Sequence, residues 1–466
     1  MPTCLLLGCL FIGCAARSES AEFSELAAVR QGRAKQEPRR SLGDLLKQPV
    51  DSAARMIPNA PRLKVDQAAA AAAGIRKLAG KHLTLYTDMP SSAEIDQLPA
   101  IFDRAFGQWC EYFKINPAEH ADWYVTGFLM KDKALFKRTG LLPPDLPQFA
   151  HGYSRNWELW LNDQSSDYYR RHLLLHEGTH AFMNTMLGAC GPPWYMEAMA
   201  ELLSTHRWAE GRLTLNYMPA NREEVPLLGR IRLIKDAVAE RRALHLKKVV
   251  EFSPYAFVEN ESYAWCWAAG TLLDHHPRYR QRFRQLYGNV LKPDFNQRFH
   301  KLFADDWEKM AEEWQILITG FEYGHDVAST AVDFTPGKAL PAGGTTVVVD
   351  AKRGWQNSGL RLAADNKYEL IAAGRYQLAD KPRIWWSEPG GVSIRYYQGR
   401  PLGILLAAVH PDRSTEGLSP LLRPLAVGLG TTLRPKQTGT LYLKINDSAG
   451  ELGDNAGQLK VEVKPL

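Results

Sequence analysis

Residues 172–207 read "HLLLHEGTHAFMNTMLGACGPPWYMEAMAELLSTHR", and the way this stretch folds back on itself decides what the rest of the chain must do. His176 and His180 are four residues apart, so in a helix both rings project from one face. Glu177 is turned about 100° from His176. Gly188 can take the left-handed position that ends a helix, and Pro192 and Pro193 forbid its continuation while presetting the start of another. On the returning helix Glu197 and Glu201 are again four apart and can face the two histidines.

That pattern is what a zinc site needs: two imidazoles and a carboxylate converging about 2.0–2.2 Å from one point. His176 and His180 supply the first two ligands, and Glu197, nearer the turn, is the natural third. Glu201 then stands where it can accept a hydrogen bond from the far N–H of a ligand histidine. Glu177 lies beside the open side of the metal, placed to take a proton from water. A chain with 13 His and 51 Asp plus Glu in 466 residues would carry the H-[DE]-x-x-H spacing about 0.04 times by chance. The bland alternative, a helix with surface His and Glu, puts three polar residues amid an apolar run where each needs a partner.

The segment "LLHEGTHAF", followed 17 residues after His180 by Glu197 in "PPWYMEAMAE", resembles the gluzincin zinc metallopeptidases, chiefly a bacterial branch whose second motif runs W-x-x-E-G-x-A-E. The resemblance covers roughly residues 75–325. It implies peptide hydrolysis by a zinc-activated water, with Glu177 as general base and then acid. Ala198 stands where relatives usually carry Gly. Such enzymes commonly use a Tyr or His from a later helix to hold the developing oxyanion, and Tyr263 in "ENESYAWCWAAG" falls about there; packing against Trp265 and Trp267 is the other reading. His206, His275 and His276 read as structural or exposed. "NWELWLN" (Asn156 to Asn162) is expected to be the edge strand that pairs with an extended substrate.

Around this core the chain is 45% hydrophobic, with 57 Lys and Arg against 51 Asp and Glu and a net charge of +6. The charges are interspersed and form no basic stripe with interleaved aromatics, so no nucleic-acid partner is expected. The apolar run Cys4 to Ala16 suits a secretory segment and is too short to span a bilayer. "FIGC" ending at Cys14 is an imperfect lipobox, which allows a lipid anchor; cleavage near Ala16 or Ala21 would release a soluble protein. Export to the periplasm, cell surface or medium is the expectation, with membrane attachment only through such a lipid. Cys110, Cys190 and Cys266 lie beyond this segment, form no CxxC pattern and allow at most one disulfide.

The expected organisation is multidomain α+β: 1–21 a signal segment, 22–65 a polar linker, 66–325 a zincin-like domain of a small sheet plus mostly helices, 326–344 a linker and 345–466 an all-β sandwich. An Ala-rich helix is expected over "VDQAAAAAAGIRKLAG", and mostly helices from residue 209 to about 321. The last region alternates in short runs such as "TTVVVDA", "KYELIAAG" and "QLKVEV" between turn residues. Its loop "NDSAGELGDNAG" is dense in oxygen donors; Asp447, Asp454 and Asn455 suit calcium, and equally an ordinary hairpin turn. With "RGWQNSGLRLAADNKYELIAAGRY" and "PLGILLAAV" this loop resembles the PA-IL-like galactose-binding lectins, which implies calcium at those three residues and a sugar bridged by it.

Together these readings describe an exported zinc peptidase acting on a peptide or protein, with a lectin-like accessory domain that binds glycans. The rival is a carbohydrate-binding protein on a catalytically idle zincin scaffold. Hydrolysis of a non-peptide amide, such as a cell-wall crosslink, fits the same residues.

Overall fold

A computed structural model describes residues 62–412 and 417–466. The expected signal segment, and the linker up to residue 61, lie outside the described residues. Helices dominate the N-terminal half and strands the C-terminal half. Among the described residues no helix is long and apolar enough to cross a membrane.

The N-terminal half is built on five strands: β1 (Arg76–Ala79), β2 (Leu83–Thr87), β3 (Val125–Met130), β4 (Gly152–Arg155) and β5 (Glu158–Asn162), in spatial order β1-β2-β3-β5-β4. β2, β3 and β5 run parallel, and β1 and β4 pair antiparallel at the two edges. The Ala-rich helix is shorter than expected, covering only Gln67–Ala72. Gly74 takes a left-handed φ of 81° just past its C-cap Ala73, and Arg76–Ala79 then enters the sheet as β1.

The expected edge strand needs correcting. Asn156 is not in a strand; at φ 50° it forms the turn between β4 and β5. β5 is hydrogen-bonded on both sides, to β3 and to β4. Its run Leu159-Trp160-Leu161 is buried on both faces, Leu159 and Leu161 in the large core under the helices and Trp160 in a smaller cluster with Phe128, Phe136 and Tyr86. Two apolar faces mark an interior strand. On this side of the sheet the edge strand is β4.

Six helices matter for the site: α1 (Leu98–Tyr112), α2 (Asp167–Phe182), α3 (Pro193–Ser204), α4 (Arg230–Ala239), α5 (Asn260–His275) and α6 (Trp307–Thr319). From residue 209 to about 321 the regular elements are helical apart from a short hairpin, His206–Ala209 with Arg212–Leu215. α1 presents Leu98, Ile101, Phe102, Ala105, Phe106 and Trp109 to the core at helical spacing. Each large apolar side chain buried this way contributes about 1.5–3 kcal/mol. α1 comes so close to α2 that a Cβ on Gly178, the middle of the HEGTH motif, would sit 2.5 Å from Phe102 and 2.8 Å from Trp109.

In the C-terminal half two sheets share one hydrophobic core. One has the order Leu425–Ala426, Leu405–Pro411, Gly439–Ile445, Gln356–Leu362, Lys338–Ala339; the other runs Gly430–Leu433, Tyr368–Ala373, Gln458–Pro465, Thr345–Asp350. Leu360, Leu405, Leu441 and Leu443 from the first meet Leu370, Leu459, Val461 and Val463 from the second.

This half is fastened to the helices by buried polar contacts. His410 Nε2 lies 2.7 Å from Glu312 Oε2 on α6, which also accepts from Ser419 Oγ at 3.1 Å. The neighbouring Glu313 accepts from the Val332 amide at 3.0 Å and faces His276 Nε2 at 2.8 Å. Farther along, main chain meets main chain: a Cβ on Gly324 would lie 2.7 Å from Gly450 O, and one on Gly450 would overlap Tyr323 O.

Candidate metal centre

α2 begins at Ser166, whose hydroxyl accepts from the Tyr169 amide at 3.3 Å. It runs to Phe182, passes through a π-helical turn over Met183–Leu187 and stops where Gly188 takes a left-handed φ of 84°. Pro193 is the first residue of α3, with Pro192 extended before it. The chain therefore reverses where its glycine and prolines require, and α2 and α3 pack side by side with His176, His180, Glu197 and Glu201 all buried between them.

Three donor atoms meet there. His176 Nε2 and His180 Nε2 are 3.2 Å apart, His176 Nε2 is 3.3 Å from Glu197 Oε2, and His180 Nε2 is 3.6 Å from the same oxygen. Ligands at about 2.0–2.1 Å on a tetrahedral ion stand about 3.3–3.4 Å from one another, so this triangle has the size zinc requires. Glu197 Oε2 is buried and makes no hydrogen bond, which leaves its lone pair for a cation. His176, His180 and Glu197 thus fit a metal on geometry and donor chemistry alike.

The electrostatics agree. Burial alone would lower the His176 pKa, yet Glu197 and Glu201 beside it drive it up; burial would raise Glu197, and His180 and His176 hold it down. The cluster is short of positive charge, which a proton or a metal ion can supply.

Glu177 is also buried, and burial raises its pKa against the pull of His176 and His180. It points at the edge strand β4, where a Cβ on Gly152 would lie 2.6 Å from its Oε1. The Tyr263 ring, near the start of α5, is centred 6.1 Å from His176. Burial keeps its phenol protonated, helped by the charges of Glu197 and Glu177, so it is available as a donor.

Glu201 faces His176 Nδ1 at 3.3 Å. Two residues that the motif reading did not single out complete this corner. His172, one turn before His176, has its Nε2 3.6 Å from Glu201 Oε2. Arg230, the first residue of α4, grips Glu201 with Nε on Oε2 and Nη2 on Oε1, both at 2.8 Å. His172 was visible as a third histidine in H-x3-H-x3-H; nothing near the motif points to Arg230. The grouping His172, His176, Glu201 also has metal-like spacing, but the Arg230 guanidinium already supplies positive charge to its carboxylate.

Two cavities of about 460 and 470 Å³ adjoin at His176 and Glu177, both also bordered by Gly152, Phe257 and Tyr263. One continues along Pro192, Pro193, Met196, Val290 and Phe295; the other along Gln148, His151, Tyr169, Asn260 and Arg230. They form a cleft with a mixed arm, where Lys292 and Asn296 join the apolar side chains, and a more polar arm.

The three spare histidines read from the sequence, His206, His275 and His276, make structural contacts. His206 faces Ser204 O at 2.8 Å and stacks on Tyr168, His275 faces Asn216 Oδ1 at 2.8 Å, and His276 meets Glu313. Cys110, Cys190 and Cys266 are buried and form no disulfide among the described residues. In the C-terminal loop, Asn455 Nδ2 donates to Asp447 Oδ2 at 2.9 Å, and burial pushes the Asp447 pKa up to about 6. Asp454 Oδ1 and Asn455 Oδ1 are buried without hydrogen-bond partners.

No protein-family model and no curated protein matches the chain. Among solved structures, it is similar to "EclA N-terminal domain; PllA-like lectin" at 24% identity and a TM-score of 0.21, over 26% of this chain and 95% of that one. It is also similar to IMPa from Pseudomonas aeruginosa, solved in complex with an O-glycopeptide, at 11% identity and a TM-score of 0.15. That match covers 84% of this chain, which spans 42% of the other's length. Likenesses of this size decide nothing about what this chain binds or cleaves.

Proposed function

We propose that the chain is an exported zinc-dependent peptidase of gluzincin type, with a lectin-like C-terminal domain. The observation that supports this most is the buried triangle of His176 Nε2, His180 Nε2 and Glu197 Oε2, with Glu177 beside it on the cleft. Zinc held by those three residues would acidify water and polarise a carbonyl. Glu177 takes the proton from the attacking water and returns it to the departing amine, a role that its raised pKa suits. Tyr263 donates to the oxygen on which negative charge develops. The unpaired edge of β4 offers main-chain hydrogen bonds to an extended peptide, which leaves side-chain preference to the two arms of the cleft.

Metal content by mass spectrometry combined with a broad peptide library tests this reading. About one zinc per chain and chelator-sensitive cleavage are expected. Glu177→Gln should keep the metal and lose activity by about 10²–10⁴-fold; full activity with metal bound would remove Glu177 from the mechanism. Glu197→Ala should lose the metal outright.

For the C-terminal half the same reading includes calcium at Asp447, Asp454 and Asn455 and a glycan held through it, supported by the unpartnered oxygens of Asp454 and Asn455. A glycan array run with calcium and with chelator checks it. Glycan binding by a metal-loaded protein that cleaves nothing in the library would favour the idle-scaffold alternative.

A further inference from the structure

We infer that Arg230 is a positioning residue for the metal centre, which orients His176 through Glu201 and seats Tyr263 across the cleft. The inference deepens the peptidase reading and rests on it.

Glu201 is 1% exposed in its side chain and stands among His172, His176 and Arg230. A carboxylate so placed could turn about its last bond and offer its better oxygen to either histidine. Arg230 removes that freedom. Its planar fork holds both oxygens at 2.8 Å, which fixes the carboxylate plane and leaves Oε1 facing His176 Nδ1. His176 then keeps its proton on Nδ1 and presents the Nε2 lone pair to the metal.

The same guanidinium is itself held. Its Nη1 donates to Asn260 O, at the start of α5, at 3.4 Å, and its central carbon lies 5.4 Å from the centre of the Tyr263 ring. Three residues along α5 from Asn260 comes Tyr263, the proposed oxyanion donor. Arg230 therefore touches the support of a metal ligand and the helix end that carries Tyr263, and it borders the polar arm of the cleft. A lysine could match its charge but not its two-pronged grip.

An ion pair with the same two-pronged grip, its carboxylate buried and its arginine 30% exposed, lies away from the cleft and separates positioning from mere structure. Arg284 grips both oxygens of Asp274 at 2.7 Å, and neither residue borders either cavity. The test measures Zn²⁺ affinity by chelator competition, and the Co²⁺ absorption spectrum, on the full chain carrying Arg230→Gln, Arg230→Lys, Glu201→Gln, the double change Glu201→Gln with Arg230→Gln, and Arg284→Gln. Arg230→Gln should weaken Zn²⁺ binding by about 10–100-fold and alter the Co²⁺ spectrum. Arg230→Lys should fall between it and wild type, and the double variant should bind no worse than Glu201→Gln. Arg284→Gln should melt at a lower temperature while leaving affinity and spectrum unchanged.

Wild-type affinity and spectrum in Arg230→Gln overturn the inference, as does an equal metal loss in Arg284→Gln or a double variant whose losses add. Should Arg230→Gln not fold, Arg230→Lys decides on the same two readouts. A wild-type chain that takes up no metal sinks the peptidase reading and this inference together. Unchanged metal binding in both Arg230 variants, beside a wild type that cleaves peptides, sinks the inference alone.

Discussion

At the scale of single residues, the centre depends on two glycines as much as on its histidines. Gly178 lets α2 lie against Phe102 and Trp109, so the HEGTH face toward α1 is a packing surface while its other face carries the ligands. Gly152 leaves room for Glu177 at the edge of β4. A Cβ at residue 152 would press on the end of a rotatable side chain, so the fold can absorb it and Glu177 must move. Gly152→Ala is expected to keep its metal and melting temperature while kcat falls on the order of 10–100-fold, since a displacement near 1 Å at a reacting group costs about that much. Steady-state kinetics with metal analysis checks it, and an unchanged kcat would show that Glu177 tolerates the shift. Ala198, where the motif that this stretch resembles carries glycine, lies beside Gly270 of α5, whose added Cβ would come 3.4 Å from the Ala198 methyl. The space lost on α3 is available on its neighbour.

At the scale of elements, the α2-turn-α3 unit was legible because its signals are local: a cap, two prolines and pairs of residues four apart. β5 was misread for a reason that is equally physical. Asn156 and the strand after it are contiguous in sequence, and only a left-handed turn separates the edge strand from the interior one. Pairings between distant segments left no local trace. Arg230 is 29 residues from Glu201, and Asp274 collects Arg284, Tyr112 at 2.9 Å and Asn216 at 2.6 Å from three other parts of the chain. This Asp274 cluster holds α5 to α1, and its carboxylate is wholly buried. Asp274→Ala leaves Tyr112, Asn216 and the 30% exposed Arg284 without their shared acceptor and is expected to destabilise the fold by about 1–3 kcal/mol, read from denaturant unfolding. Glu210→Ala, which breaks an exposed pair with Arg212, should stay within about 1 kcal/mol of wild type.

At the scale of the whole molecule, acid should weaken the fold through histidines kept neutral by burial. Burial lowers the His206 pKa to about 3 and that of His325 to about 4. Unfolded, each takes up a proton near pH 6.5. Their contribution is therefore fully present above about pH 6.5 and is lost as pH falls toward 4, because the unfolded chain binds the protons first. His325→Gln removes one such group, so its melting temperature should fall less steeply than that of wild type between pH 6.5 and 4. Parallel curves would mean that His325 does not contribute.

The meeting of Gly324, Gly450 and Tyr323 bears on how the two halves could be recombined. Where main chain rests on main chain, no side chain cushions the join, and a residue larger than glycine at position 450 has nowhere to go. Beside it, buried glutamates of α6 find partners in His410, Ser419 and Val332. A different binding module grafted after α6 would meet unanswered carboxylates and a surface cut to fit one loop. The β half is therefore tailored to this helical half, and exchange between relatives should succeed only when both sides of the seam travel together.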